Sequence, residues 1–337
     1  MNIKIYGFVI IMMIGTVTPV YSVLDEFDNL IDISSTSPGT YLKFMRFDGE
    51  IRSYRIHIPM GYDSSNPVPL VFNFHGTPGG SYTQMMCTDF NNKSDNEGFV
   101  VVYPNGHFDS QFFSYWLKTF GVIYLFTGFR YFNAWDFENA NVDDVGFIMA
   151  LIGELKTKLN IDSSRIYATG LSCGGFMSYR LGAEFSDTFA AIAPVAGSIG
   201  GRLWIDYTID TSDIPCYIIP EPENPLPVIV LHGMEDEAVP YDGIEDKGYG
   251  LSYISVNESV AFWVEHNQCN PIPEIEVSES GNIIKRIYKN GSEDSEVVLY
   301  TVVNGGHEWF GGEYVFPPCE ISATDLIWEF FESHPKQ

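Results

Sequence analysis

A serine hydroxyl attacks a carbonyl only when it is held exposed and has a base within reach. The stretch from Arg165 to Gly175, Arg-Ile-Tyr-Ala-Thr-Gly-Leu-Ser-Cys-Gly-Gly, meets the first condition. Ile166, Tyr167 and Ala168 read as a buried strand and Phe176 to Phe185 as a helix. Between them, Gly170-Leu171-Ser172-Cys173-Gly174 has the form G-x-S-x-G. On a sharp strand-to-helix turn the serine stands at the end of a sheet, and the flanking glycines are needed because side chains would collide with the tight backbone. The helix N-terminus also directs N–H groups at negative charge forming beside the serine. The same residues suit an ordinary Gly-rich turn with a helix-capping serine, so the rest of the chain decides.

The base and its orienting carboxylate must come from elsewhere. Ligands of a doubly wound sheet bind outside the carboxyl ends of its strands. Leu226 to Leu231 reads as one such strand, with Asp236 just beyond it, and Glu296 to Val303 as the last, with His307 just beyond it. The chain order Ser172, Asp236, His307 is that of α/β-hydrolases. Glu235, Glu237 and Asp242 compete with Asp236, and spacing alone does not choose among them. His57 lies mid-strand, His107 and His266 lack a strand-end position, and His334 is in the tail. His232 ends a strand but is so near Asp236 that it reads as stiffening that loop. His307 is therefore the expected base. Two N–H donors must hold the oxyanion: the amide of Cys173, after the nucleophile, and that of Thr77 in His75-Gly76-Thr77, with Gly76 second to Thr77. His75 reads as a backbone organiser, and the Cys173 thiol as incidental.

The elements that must position these groups are legible as patterns. Ile51 to Ile58 alternates as a strand, while Val68 to Phe74 and Gly98 to Tyr103 are apolar runs expected of strands buried on both faces. Tyr82 to Glu97 reads as a helix. Beyond Asp143, Val145, Ile148, Ile152, Leu155 and Leu159 recur at helical spacing. Phe189 to Val195 reads as a strand, Leu203 to Glu223 as irregular and Asn257 to Cys269 as a helix. Ser322 to Asp325 resembles a capping box opening a helix through Phe331. Alternating strands and helices predict a single α/β domain over 41–337, a mostly parallel sheet with helices on both faces. Residues 108–135 are crowded with aromatics and read as an insertion beside the strand ends. Trp116, Trp135 and Trp309 are the expected substrate contacts.

Composition removes other classes. The formal net charge of −26 would repel phosphates, which argues against nucleic acid as a partner. With 45% hydrophobic and 15% aromatic residues, the chain carries enough apolar surface for a core, which argues against global disorder. Residues 1–22 read as a signal peptide: Lys4, an apolar run from Ile5 to Val17, and a cleavage site after Ser22. That run is shorter than the roughly 20 residues of a spanning helix. The expectation is a secreted, extracellular or periplasmic protein without stable membrane insertion, with 23–40 a flexible leader. Five cysteines leave at least one unpaired, and the others could form one or two disulfides outside the cytosol. No spacing suggests a metal, and no cofactor is expected.

Several segments resemble the secreted esterases grouped as polyhydroxybutyrate depolymerases and feruloyl or acetylxylan esterases. They include Tyr62-Asp63 with Pro67 to Val71, His75-Gly76, Gly98 to Pro104, Val142 to Phe147, Gly170-Leu171-Ser172 and Ala191 to Gly197. Later come His232-Gly233, Asp236, Val239-Pro240-Tyr241 and Gly305-Gly306-His307-Glu308-Trp309. The resemblance runs in order from about Tyr54 to the C-terminus. It implies an α/β-hydrolase fold and a Ser-His-Asp triad. Asp236 is implied as the acid because it fits the family's His-Gly-x-x-Asp pattern. The implied substrates are esters of ferulate, acetate or hydroxyacids, polymeric ones included. Cys173 and Phe310 depart from the family's usual residues, Asn or Ala and Pro. Cys269 lacks its usual partner cysteine, for which Cys319 is a candidate substitute. A secreted serine carboxylesterase is thus expected. A serine peptidase of the same fold is an alternative, as is a polymer-binding protein with a disused triad, against which the complete set of three residues counts.

Overall fold

A computed structural model describes residues 37–108, 130–132, 134, 142–203, 216–244, 251–312 and 319–336. The expected signal segment 1–22, most of the leader 23–40 and most of the insertion 108–135, with Trp116 and Trp135, lie outside the described residues.

The main sheet has ten strands: β1 (Gly39–Phe47), β2 (Glu50–Ile58), β3 (Val68–Phe74), β4 (Val100–Pro104), β5 (Ile161–Leu171), β6 (Ala191–Val195), β7 (Val228–Gly233), β8 (Glu274–Val277), β9 (Ile283–Tyr288) and β10 (Val297–Val302). Their order is β1-β2-β4-β3-β5-β6-β7-β10-β9-β8. The six central strands, β4 to β10 in that order, pair in parallel, and the outer two on each side are antiparallel. The sequence explains the division. β3, β4, β6 and β7 are apolar runs buried along their whole length, as parallel strands covered on both faces must be. The β1–β2 hairpin alternates, and β8, Glu-Ile-Glu-Val, is exposed throughout.

Helices cover both faces: α1 (Ser81–Thr88), α2 (Phe90–Glu97), α3 (Asp144–Lys158), α4 (Cys173–Glu184), α5 (Val256–His266) and α6 (Ala323–Ser333). Asp143 caps α3 by accepting the Gly146 N–H at 2.7 Å. Its apolar face, Ile148, Leu151, Ile152 and Leu155, packs with Leu70, Phe72, Met177 and Leu181 in one core layer. The other layer is sealed by α2 and α6, where Tyr167 stacks on Phe331 at 4.5 Å and Phe99 on Trp328 at 4.0 Å. Successive β3 residues alternate between layers, Leu70 and Phe72 in one and Val71 in the other. A buried Arg52–Asp144 ion pair, with the guanidinium 4.1 Å over the Phe147 ring, ties β2 to α3.

Three expectations change. The single helix over Tyr82 to Glu97 is two, broken at Asp89, which has φ 54°. The strands β1, β8 and β9 were not anticipated, because they are edge or near-edge segments without a continuous apolar run. Leu203 to Glu223, read as irregular, contributes Leu203 and Tyr217–Ile218 to a small antiparallel sheet with Gly200 to Arg202 and Leu251–Tyr253.

The α4 turn is built on close backbone approach. A Cβ on Gly174 would lie 2.2 Å from the Phe74 carbonyl oxygen, and one on Gly170 2.6 Å from the same oxygen. Gly174→Ala should therefore cost roughly 3 kcal/mol by forcing α4 off β3, seen as a lowered urea midpoint; an unchanged midpoint would show that the turn yields freely.

Candidate active site

Ser172 is the N-cap of α4, with φ 58° and ψ −120°. A non-glycine residue at positive φ is strained, and here the strain holds Ser172 on the turn between β5 and α4. Its amide donates to the Val195 carbonyl at 2.9 Å, and its carbonyl accepts from Phe176 at 3.0 Å. Both backbone groups are thus engaged within the fold. As the first residue of α4, Cys173 has an amide with no acceptor inside the helix.

The loop after β3 passes alongside. A Cβ on Gly76 would meet Ser172 Cβ at 3.2 Å, so Gly76 and Thr77 run beside the nucleophile position. His75 fixes this loop: Nδ1 donates to the Gly76 carbonyl at 2.8 Å, while Nε2 accepts from the Gly106 amide at 3.0 Å. Phe132, from the aromatic insertion, packs on the imidazole at 4.7 Å. His75 is a backbone organiser, as read from the sequence. The Cys173 side chain faces Thr77 and Ser172, and burial outweighs those hydrogen bonds and pushes its thiol pKa up. The thiol is therefore less of a nucleophile than an exposed cysteine.

Asp236 and His307 meet because β7 and β10 are parallel neighbours in register, with Gly233 opposite Val302. Beyond the strands the two loops stay bonded, Met234 N–H to the Val302 carbonyl and Glu235 N–H to the Gly305 carbonyl, each at 2.9 Å. A Cβ on Gly233 would lie 2.2 Å from the Gly305 oxygen, so only glycine permits the approach. His307 Nδ1 donates to Asp236 Oδ2 at 2.8 Å, which leaves Nε2 as the acceptor. Asp236 Oδ1 accepts the amides of Ala238 at 2.9 Å and Val239 at 2.8 Å. Among Glu235, Asp236, Glu237 and Asp242, Asp236 is the one in contact with His307. Burial alone would raise its pKa. Hydrogen bonds from His232 and His307, the His307 charge and the Val239 amide overcome that, and the carboxyl titrates well below the usual range.

No family model matches the chain. A feruloyl esterase C from Emericella nidulans is 25% identical over 294 residues, 83% of each chain. A poly(3-hydroxyalkanoate) depolymerase C from Paucimonas lemoignei is 22% identical over 305 residues, 82% of this chain and 64% of the relative. An acetyl xylan esterase from Aspergillus awamori has a structure that superposes with a TM-score of 0.52 at 14% identity, covering 87% of this chain and 99% of the other. The chain is a carboxylic ester hydrolase with an α/β-hydrolase fold.

In the esterase, Trp309 is not where the sequence suggested. It is 2% exposed, its ring 6.0 Å from Phe90 and its Nε1–H donated to Thr324 Oγ1 at 3.0 Å. It is a core residue that anchors the His307 loop, and a buried indole has no face for substrate. The chain around it is polar: Thr324 Oγ1 donates to the Thr88 carbonyl, and Thr88 Oγ1 accepts from Asn73 at 3.0 Å. The site also holds a residue that the sequence reads as stiffening the Asp236 loop. His232, entirely buried, places Nε2 3.3 Å from Asp236 Oδ2 and 2.8 Å from the Val239 carbonyl. Its four-residue spacing from Asp236 was the available signal. Cys269 and Cys319 carry free thiols and are not paired with each other. Among the described residues no His, Cys, Asp and Glu group could hold a metal, and no helix is long and apolar enough to cross a membrane.

The depressed Asp236 pKa has a stability consequence. A carboxyl with a lower pKa folded than unfolded contributes stability above its unfolded value, about 3.9, and loses it as pH falls through the folded value. Asp236→Asn should unfold earlier in urea at pH 7, by on the order of 2 kcal/mol. The gap to wild type should shrink steadily as the pH drops below about 4; a gap independent of pH would mean that the charge contributes nothing.

Proposed function

We propose that the esterase is a secreted serine carboxylesterase acting through an acyl-enzyme. Ser172 attacks the ester carbonyl, and His307 Nε2 takes its proton and then delivers it to the departing alcohol. Asp236 holds the His307 tautomer and stabilises the imidazolium. The amides of Cys173 and Thr77 hold the oxyanion. Water then attacks the acyl-enzyme with His307 again as base, releasing the acid and free Ser172.

The single observation that supports this most is the 2.8 Å His307–Asp236 pair beyond β7 and β10, the second and third strands from β5, which ends at a strained Ser172. Charge agrees with the roles. A side chain with its carboxylate fully buried and ionised orients the imidazole without itself leaving to solvent, while the His307 side chain keeps 25% of its surface exposed. The substrate class follows the relatives: feruloyl or acetyl groups on plant polysaccharide, or polyhydroxyalkanoate. Secretion follows from residues 1–22, and the aromatic insertion, with Trp116 and Trp135, would form the acyl or aryl wall.

Ser172→Ala should lower kcat on p-nitrophenyl acetate by about 10^4-fold or more with folding unchanged, and a fluorophosphonate probe should label the wild type at Ser172 alone. Near-normal turnover in that variant would rule out the serine mechanism. Product analysis on methyl ferulate, acetylated xylan and 3-hydroxybutyrate oligomers then separates the substrate classes.

A further inference from the structure

His232 has an environment that packing alone does not account for. The ring is entirely buried at the end of β7, beside Thr301 of β10 in register and edge-on to Tyr241 at 5.9 Å. Among the described residues its Nδ1 has no hydrogen-bond partner. Its Nε2 faces two acceptors, the Val239 carbonyl at 2.8 Å and Asp236 Oδ2 at 3.3 Å. The ring hydrogen therefore sits on Nε2, shared between them, and Nδ1 is a buried lone pair without a donor. An apolar side chain would fill the space without that desolvation penalty.

What the arrangement achieves is specific. Asp236 Oδ2 is the oxygen that His307 uses, and the Val239 amide holds Oδ1. His232 thus bonds both the carboxylate and the carbonyl of the residue whose amide bonds that carboxylate, closing a small ring of contacts. We propose that His232 is a positioning residue for the reaction, its Nε2–H clamping Asp236 Oδ2 and the Val239 carbonyl so that the carboxylate meets His307 in one orientation. The proposal rests on the reading of Ser172, His307 and Asp236 as the triad.

The charged and titratable groups around the clamp are few. Asp236 and His307 face it from the strand-end loops. Tyr241 packs against the ring, and its hydroxyl meets Thr301 Oγ1 at 3.0 Å. Arg286, on β9, donates to that pair at 3.4 and 3.2 Å. Tyr253 senses the Asp236 charge from the small sheet.

The test compares wild type, His232→Leu and His232→Gln on p-nitrophenyl acetate from about pH 5 to 9, the Gln amide restoring an N–H near the Nε2 position, with fluorophosphonate titration counting active sites. For His232→Leu, kcat should fall about 10- to 100-fold with KM within about twofold, because the lost interaction orients catalytic groups and not substrate. The acid limb of kcat/KM should move to lower pH by about half a unit, because an imidazole with a misplaced carboxylate gives up its proton more easily. His232→Gln should recover most of kcat and the wild-type limb. The proposal is overturned by a His232→Leu variant with wild-type kcat and limb, by an unmoved limb despite lost kcat, or by His232→Gln restoring neither quantity. Should His232→Leu not fold, His232→Gln decides alone: retained kcat with an unmoved limb supports the clamp, and a displaced limb refutes it. Failure of the triad reading is recognised separately, by turnover in Ser172→Ala with His232 intact.

Discussion

Two places where backbone lies against backbone without room for a side chain govern this esterase. At one, Gly170 and Gly174 press on the Phe74 carbonyl and bring the β5–α4 turn against β3. At the other, Gly233 presses on the Gly305 carbonyl and brings the loop after β7 against the loop after β10. The first raises Ser172 beside Gly76, and the second joins Asp236 to His307. Neither contact involves a chemical group of the proposed reaction. Hydrogen bonds and side-chain packing can adjust over several tenths of an ångström, but a carbonyl oxygen 2.2 Å from a would-be Cβ leaves no latitude. The geometry of the site is thus a property of the sheet's parallel centre, transmitted through glycine.

Much of this was legible in the residues, for a physical reason. Parallel strands covered on both faces must be continuously apolar, so Val68 to Phe74 and Leu226 to Leu231 declare themselves, and with them the strand ends where the Gly76 loop and Asp236 sit. The α4 turn announces itself through paired glycines. Edge strands lack that constraint. Glu274–Val277 is exposed on every residue, and Gly39–Phe47 adjoins a Ser-rich stretch, so neither carries a core pattern. The break at Asp89 was hidden because one left-handed residue interrupts a helix without altering its composition. Trp309 was misplaced for a related reason: proximity in sequence to His307 says nothing about which side of the loop a ring faces. Spacing likewise could not choose among Glu235, Asp236, Glu237 and Asp242, which differ in which backbone amides they can reach. Ala238 and Val239 donate to Asp236, and only coordinates reveal that.

Electrostatics at the site run against the character of the whole chain. With a formal net charge of −26, the molecule repels anions at long range, yet one of its carboxylates is kept ionised in its interior. It persists because every partner within reach is a donor: two imidazoles and two amides, with no second carboxylate among the contacts found for Asp236. Burial then works in favour of function. It strengthens the interaction of the carboxylate with an imidazolium and keeps water from competing for the same oxygens. The buried charge and its donors form one unit, since removing any donor leaves a desolvated acceptor behind.

A division of labour follows from where the constraints lie. The residues assigned to bond making stand on turns fixed by backbone contact with the central strands. Those proposed to distinguish one ester from another lie within 108–135, of which the described Phe132 packs on Phe74 and His75. A change at Gly174 disturbs the Gly76–Ser172 approach, and a change at Gly233 the approach of the Asp236 and His307 loops. The turns that carry the proposed chemistry are therefore the parts of the fold with least room for a side chain.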